Sequence, residues 1–217
     1  MGLISEMISV NAVSQPDRSS WQKDEEDWFN KFCLSYDKNK QPPPTAGKRG
    51  NIWKLRGTKE DINQWIHEQK RTTLQFDGAS KNNSGKAGAG GIIKDQYGKI
   101  LTTYEWGLGQ MSNNMAEAYN LLLGTSIMKQ MQVQNRIIMG DSTIVIAALV
   151  TGGEFKKYAL SNIKLQIMNN INHLGDTTFK HVLRNNNMEA DSFSNRVVNR
   201  TIGQVRENDH IYVKSIP

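Results

Sequence analysis

Four carboxylates in the chain stand where a strand gives way to a turn or a helix begins. Asp77 follows the alternation of Leu74 and Phe76 with Thr73 and Gln75, and Asp141 follows the apolar run Ile137-Ile138-Met139 at a strand-to-helix turn. If those two strands lie side by side, both carboxylates face one crevice at the strand ends, where open sheets bind ligands. Glu117 shares a helical face with Leu121, Gly124 and Met128, four, seven and eleven residues on, so its side chain points toward packing rather than water. Asp191 lies early in a last helix, next to the stripe Ala190, Phe193, Val197. Each acid has a plainer use: Asp77-Gly78 as a hairpin turn, Asp141 as a helix cap, Glu117 and Asp191 as surface charges. Taken together they suggest something else. Two carboxylates about 4 Å apart repel by roughly 4 kcal/mol at an effective dielectric of 20, so a gathered set needs a cation to stay ionised. All-oxygen donors select Mg²⁺ or Mn²⁺ over zinc.

The elements that must position these acids follow from periodicity. Thr58, with Asp61 three residues on, reads as a capping box, predicting a short helix from Thr58 to Lys70. From Thr72 the pattern turns to strands: Thr72 to Asp77, a glycine-rich stretch Gly85 to Gly91 leading into Ile92-Ile93, and Ile100 to Trp106 in strict alternation after the turn Asp95-Gln96-Tyr97-Gly98. Close strand packing accounts for the glycines, since no phosphate-loop pattern is present. Met115 to Met131 predicts a long helix capped by Asn113 and Asn114. Then come a strand at Ile137 to Met139, helices at Thr143 to Val150 and Phe155 to Leu174, a strand around Phe179, His181 and Leu183, and a helix from about Met188 to Arg200 capped by Asn185 to Asn187. The order is three strands, helix, strand, helices, strand, helix.

Composition narrows the class. The chain has 217 residues and a net charge of +6, compatible with a polyanionic partner but not diagnostic of one. A single cysteine, Cys33, forms no internal disulfide, and four histidines show no finger-like zinc spacing. No apolar run reaches a membrane span, Met1 to Val10 lacks the pattern of a signal peptide, and Glu6 breaks the myristoylation pattern. The expectation is a soluble intracellular monomer with no membrane contact, nucleus or cytoplasm unresolved. Residues 1–50 read as a poorly ordered leader, with an aromatic-acidic helix over Trp21 to Phe32 and a linker around Pro42-Pro43-Pro44. Residues 51–71 read as a short helical extension, 72–200 as the main domain and 201–217 as a tail.

Four motifs carry a resemblance: Phe76-Asp77-Gly78-Ala79-Ser80, Ser112-Asn113-Asn114-Met115-Ala116-Glu117, Met139-Gly140-Asp141-Ser142 and Arg184-Asn185-Asn186-Asn187-Met188-Glu189-Ala190-Asp191. In this order and on these elements they resemble type 1 ribonuclease H, most closely the ribonuclease H-like domain common in plant genomes and related to non-LTR retrotransposon reverse transcriptases. The resemblance implies an α/β fold with a five-stranded mixed sheet, an antiparallel meander plus two parallel strands, with helices on both faces. It implies that Asp77, Glu117, Asp141 and Asp191 hold two Mg²⁺ ions, Mn²⁺ substituting, in a two-metal hydrolysis of the RNA strand of an RNA/DNA hybrid that leaves a 5′-phosphate. Ser80, Asn83, Asn113, Asn114, Ser142 and Thr143 then fall where the family meets the minor groove of its hybrid partner.

The sequence departs from the family in three places. The loop before Asp191 is short and lacks the mobile histidine of many bacterial members; His181 sits in the preceding strand and reads as structural, while Arg184 occupies the loop, able to meet the scissile phosphate. The interval from Asp141 to Asp191 leaves no room for a basic handle, with Lys156 and Lys157 as a remnant. Ser84 stands where the family commonly has proline. A 3′–5′ exonuclease of similar fold is disfavoured because it needs Asp-x-Glu on the first strand, whereas Asp77 is followed by Gly78 and Ala79. The rival of a different class is a catalytically silent nucleic-acid-binding or protein-interaction domain derived from a retroelement, which would keep the acids without turnover.

Overall fold

The computed structural model describes residues 53–152, 158–172 and 175–216; the aromatic-acidic segment, the Pro-rich linker and Lys156-Lys157 lie outside the described residues. Helix α1 (Lys59–Gln69) opens on the expected capping box: Thr58 Oγ1 accepts from the Asp61 amide at 3.2 Å and Asp61 accepts from the Thr58 amide at 2.8 Å. Strands β1 (Thr72–Ser80), β2 (Lys86–Lys94) and β3 (Ile100–Gln110) form the antiparallel meander. They are followed by α2 (Asn113–Gln130), β4 (Arg136–Gly140), α3 (Thr143–Thr151), α4 (Tyr158–Ile171), β5 (Thr177–His181) and α5 (Met188–Val197). Strand β4 pairs parallel with both β1 and β5.

The sheet has seven strands, not five, in the order β5-β4-β1-β2-β3-β6-β7. The two additional strands, β6 (Gln204–Glu207) and β7 (His210–Val213), form a hairpin on the free edge of β3 within the segment expected to be a tail. Asn208 makes the turn in the left-handed region and ties it to β3, its amide donating to the Thr103 carbonyl at 2.8 Å and its Oδ1 accepting from the Thr103 amide at 2.9 Å.

Strand alternation sorts side chains onto two faces. Leu74, Phe76, Ala87, Ala89, Tyr104, Trp106 and Ile138 belong to a core built with α2, α3 and α4. On the opposite face Ile137, Met139 and Val182 pack with Ile62 of α1 and with Leu55, Trp65 and Ile66. The segment before β1 is therefore not a separate extension. Trp53 and Leu55 exchange main-chain hydrogen bonds with His181, adding a parallel bridge to the outer edge of β5.

The glycine-rich stretch serves helix packing rather than strand packing alone. A Cβ at Gly90 would lie 2.4 Å from the Ser194 nitrogen, and one at Gly88 would lie 2.6 Å from the Ser194 oxygen. Main chain thus meets main chain where α5 crosses β2. On the other face a Cβ at Gly78 would lie 2.3 Å from the Glu117 nitrogen, so α2 approaches β1 equally closely. Each contact fails with any larger residue. The helix α5 is also pinned by Glu105 of β3, 3% exposed, which pairs with Arg196 and Arg200. Such a buried acid requires its partners.

Candidate active site

Asp77 lies inside β1 rather than at its end. Gly78 continues the strand because its bare backbone admits α2, so Asp77-Gly78 makes no hairpin turn. Asp77 sits opposite Gly90 in register and its carboxylate lies on the α5 face, 4% of the residue exposed. Glu117 reaches the site from the first turns of α2, also 4% exposed, and its Oε2 accepts from the Gly78 amide at 3.1 Å. Asp141 follows β4. Oxygens of Asp77, Glu117 and Asp141 all lie within 4.8 Å of one another.

Asp191 does not join that group of three. Its Oδ1 is paired with the Arg184 guanidinium, which leads from the short turn Arg184–Asn186 and is largely exposed. Its charge still reaches the cluster, raising the pKa of Asp77.

The electrostatics follow first from burial and then from like charges close together, with the exposed Arg184 as the opposing charge. Burial, opposed by a hydrogen bond from Ser194 and reinforced by Asp141 and Asp191, pushes Asp77 up from 3.8 to about 7. Burial, then the charges of Asp77 and Asp141, pushes Glu117 well above the ordinary glutamate range. An acid whose pKa rises on folding holds its proton more tightly in the fold. The stability linked to that proton is complete below about pH 4 and is lost as pH climbs to about 7 for Asp77. Metal-free protein is therefore expected to lose melting temperature over this interval, with Glu117 acting in the same direction. A divalent cation held by this cluster would reverse the penalty only where the acids are ionised: at 100 times its dissociation constant it would contribute about 2.7 kcal/mol, roughly 5–10 °C at this chain length. Scanning calorimetry with and without Mg²⁺ checks this, a shift at pH 8 and little at pH 5 being expected.

The donor set fits a hard cation, with three convergent carboxylates, two of them buried, and no nitrogen or sulfur ligand in the group.

The expected substrate-facing residues form two clusters. Ser80, Asn83 and Asn113 are linked: the Ser80 amide donates to Asn113 Oδ1 at 3.2 Å and the Asn113 amide to Asn83 Oδ1 at 3.3 Å. Asn113 is thus tied to β1 and does not cap its helix; Ser112 holds the N-cap position, without a side-chain cap bond, and Asn114 is half-buried in the first turn. Ser142 caps α3, its Oγ accepting from the Val145 amide at 3.5 Å. Thr143 Oγ1 lies 2.9 Å from His181 Nε2, which is also 3.1 Å from the Asp141 carbonyl, so the histidine buttresses the strand end behind Asp141.

Three further polar residues hold the acids in place: Asn187, expected only as a helix cap, and Asn120 and Ser194, which the sequence motifs do not include. Asn187 Nδ2 donates to the Phe76 carbonyl at 2.8 Å and to Asp141 Oδ1 at 3.1 Å, bridging β1 and β4 instead of capping α5. Asn120 Nδ2 donates to the Asp77 carbonyl and, at 2.7 Å, to the Gly90 carbonyl. Ser194 Oγ donates to Asp77 Oδ2. A spacing signal existed. Asn120 lies three residues after Glu117, and Ser194 three after Asp191, placing each on the face of the acid.

Known proteins share this architecture. A ribonuclease HI of Halobacterium salinarum is 24% identical over 144 residues, 65% of this chain and 72% of the relative. The crystal structure of RNase H1 from the same archaeon superposes with a TM-score of 0.57 at 24% identity, covering 60% of this chain and 99% of that one. An N-terminal RNase H domain from Mycobacterium tuberculosis gives 0.57 at 22% identity over 59% and 93%. A complex of LC11-RNase H1, isolated from compost, with an RNA/DNA hybrid gives 0.55 at 20% identity over 60% and 98%. The family model described as reverse transcriptase-like matches residues 75–197, more than half of the chain and all four acidic motifs. The chain therefore belongs to the reverse transcriptase-like family, and its domain is of the type 1 ribonuclease H-like kind.

Proposed function

We propose that the chain is an RNA/DNA-hybrid ribonuclease that cuts the RNA strand internally with the help of two Mg²⁺ ions. The observation that carries this reading is the convergence of Asp77, Glu117 and Asp141 within 4.8 Å on a ribonuclease H-like scaffold, with the charge of Asp191 reaching Asp77. Glu117 and Asp77 are held from the backbone side, Asp141 is steadied by Asn187, and the three present negative charge to one point. Asp77, Glu117 and Asp141 would hold a divalent cation there, which would supply charge neutralisation and activation of water. Asp191 serves as the fourth ligand. Arg184, two-thirds exposed and already turned toward the acids, offers its guanidinium to the phosphate.

Recognition of the hybrid rests on short polar groups at the strand and helix ends. Ser80, Asn83, Asn113 and Asn114 lie between β1 and the start of α2, and Ser142 and Thr143 at the start of α3, as groups for ribose 2′-hydroxyls and backbone. A complex with such a hybrid is known for LC11-RNase H1, which shares the fold. Among the described residues no helix is long and apolar enough to cross a membrane.

Incubation of the full chain with an end-labelled RNA/DNA hybrid tests the reading. Cleavage is expected with Mg²⁺ and none with EDTA, with single-stranded RNA and duplex DNA left intact. A hybrid uncut at millimolar Mg²⁺ would overturn it.

A further inference from the structure

Asp77 is held at two levels, and the second suggests a role for a residue outside the four acidic ligands. At the first level its main chain is fixed. Asn120, fully buried on α2, donates one amide nitrogen to the carbonyls of both Asp77 and its register partner Gly90. With the backbone anchored to the helix that carries Glu117, the freedom left to Asp77 is rotation of its side chain. Ser194 removes that freedom. It is fully buried on α5, and its hydroxyl donates to Asp77 Oδ2.

Ser194 is itself fixed in position. Its nitrogen and oxygen lie against Gly90 and Gly88, where no Cβ could fit, so α5 cannot slide inward or turn without striking the backbone of β2. The hydroxyl has two acceptors within reach, Asp77 Oδ2 and, at 2.9 Å, the Asp191 carbonyl one helical turn back, but only one hydrogen to give. An ionised carboxylate is the stronger acceptor, so the hydrogen goes to Asp77. One carboxylate oxygen is then committed to α5.

We propose that Ser194 is the positioning residue for Asp77, setting the rotation of its carboxylate so that Asp77, Glu117 and Asp141 present a preformed divalent-cation site. This rests on the metal-dependent reading of the site given above. A hydroxyl that only stabilised α5 would leave cation affinity untouched, whereas one that orients a ligand changes it: partners that hold a ligand in place typically alter metal affinity or activity by about 10–100-fold.

Ser194→Ala removes the hydroxyl without adding volume and favours the helix. Mg²⁺ titration followed by thermal shift at pH 8, on the full chain without hybrid, reads affinity independently of turnover. The midpoint for Ser194→Ala is expected to move upward by about tenfold or more, with kcat reduced at fixed Mg²⁺ and KM for the hybrid unchanged. Asn195→Ala is the control, since Asn195 also donates to the Asp191 carbonyl, at 2.8 Å, from the exposed side of α5 without bonding to Asp77; its midpoint is expected to match the parent. A folded Ser194→Ala variant whose midpoint stays within about twofold of the parent overturns the inference. Should Ser194→Ala not fold, Ser194→Cys, of similar size but a weak donor, replaces it with the same expected shift and the same overturning result. Absence of any Mg²⁺ shift in the parent would remove the metal reading itself, and the inference with it, a result separable from a shift that Ser194→Ala leaves unchanged.

Discussion

Asp77→Asn is expected to lower Mg²⁺-dependent cleavage of a hybrid by about 10³-fold or more, because the groups of a catalytic unit act together and one removed charge disables the rest. The same substitution should raise the melting temperature of metal-free protein at pH 8. There the carboxylate is ionised beside Asp141 and Asp191 in a buried setting that pushes its pKa to about 7, and asparagine carries no charge to repel them. The amide keeps an oxygen for Ser194 and fills the same space. Opposite signs in activity and stability mark a group kept for chemistry at the expense of the fold. Scanning calorimetry and the cleavage assay on one preparation measure both, and a variant that is inactive and less stable would instead make Asp77 a structural residue.

The second large effect concerns the segment before β1. A chain starting at Thr72 retains the family-matched residues but loses Leu55, Ile62, Trp65 and Ile66, leaving Ile137, Met139 and Val182 uncovered. At the usual burial coefficient this costs about 5 kcal/mol, a fall of roughly 10–20 °C in melting temperature. The site should loosen too. The turn carrying Arg184 is tied to this segment by the Asn186 side chain on the Gly57 carbonyl at 3.2 Å, and β5 loses its main-chain bonds to Trp53 and Leu55. A chain starting at residue 51 keeps every one of these contacts and serves as the reference. Melting temperatures within about 3 °C of one another would show that the segment is no part of the core.

These two cases show what the sequence made legible. Asp77, Glu117 and Asp141, which the structure brings together, were readable because each sits on a strand, just after one or near a helix start within its own motif, and the meander and its helices because apolar periodicity survives over many residues. The capping box at Thr58 was readable for a local reason, two side chains serving each other's amides. What stayed hidden depends on contacts distant in the chain. Strands β6 and β7 have four residues each, too short for alternation to stand out. Trp53 to Leu55 shows no strand pattern because its pairing depends on His181, far along the chain. Asp77 looked like a strand end because Gly78 usually breaks strands, whereas here the missing side chain admits α2. Asn120 and Ser194 belong to none of the four motifs, and their role depends on the acid that lies beside them in space.

The glycine seat under α5 also bears on how this protein can change over time. At Gly88 and Gly90 the separation between the sheet and the helix carrying Asp191 and Ser194 is set by main-chain atoms touching one another, not by the sizes of side chains. A gauge of that kind is indifferent to which aliphatic residues fill the rest of the interior. The interior can therefore drift in composition, gaining or losing melting temperature, while the distance between the first acid and the last stays constant. Fold stability and the geometry of the acidic site become separately mutable, and two small residues in β2 are where that independence is written.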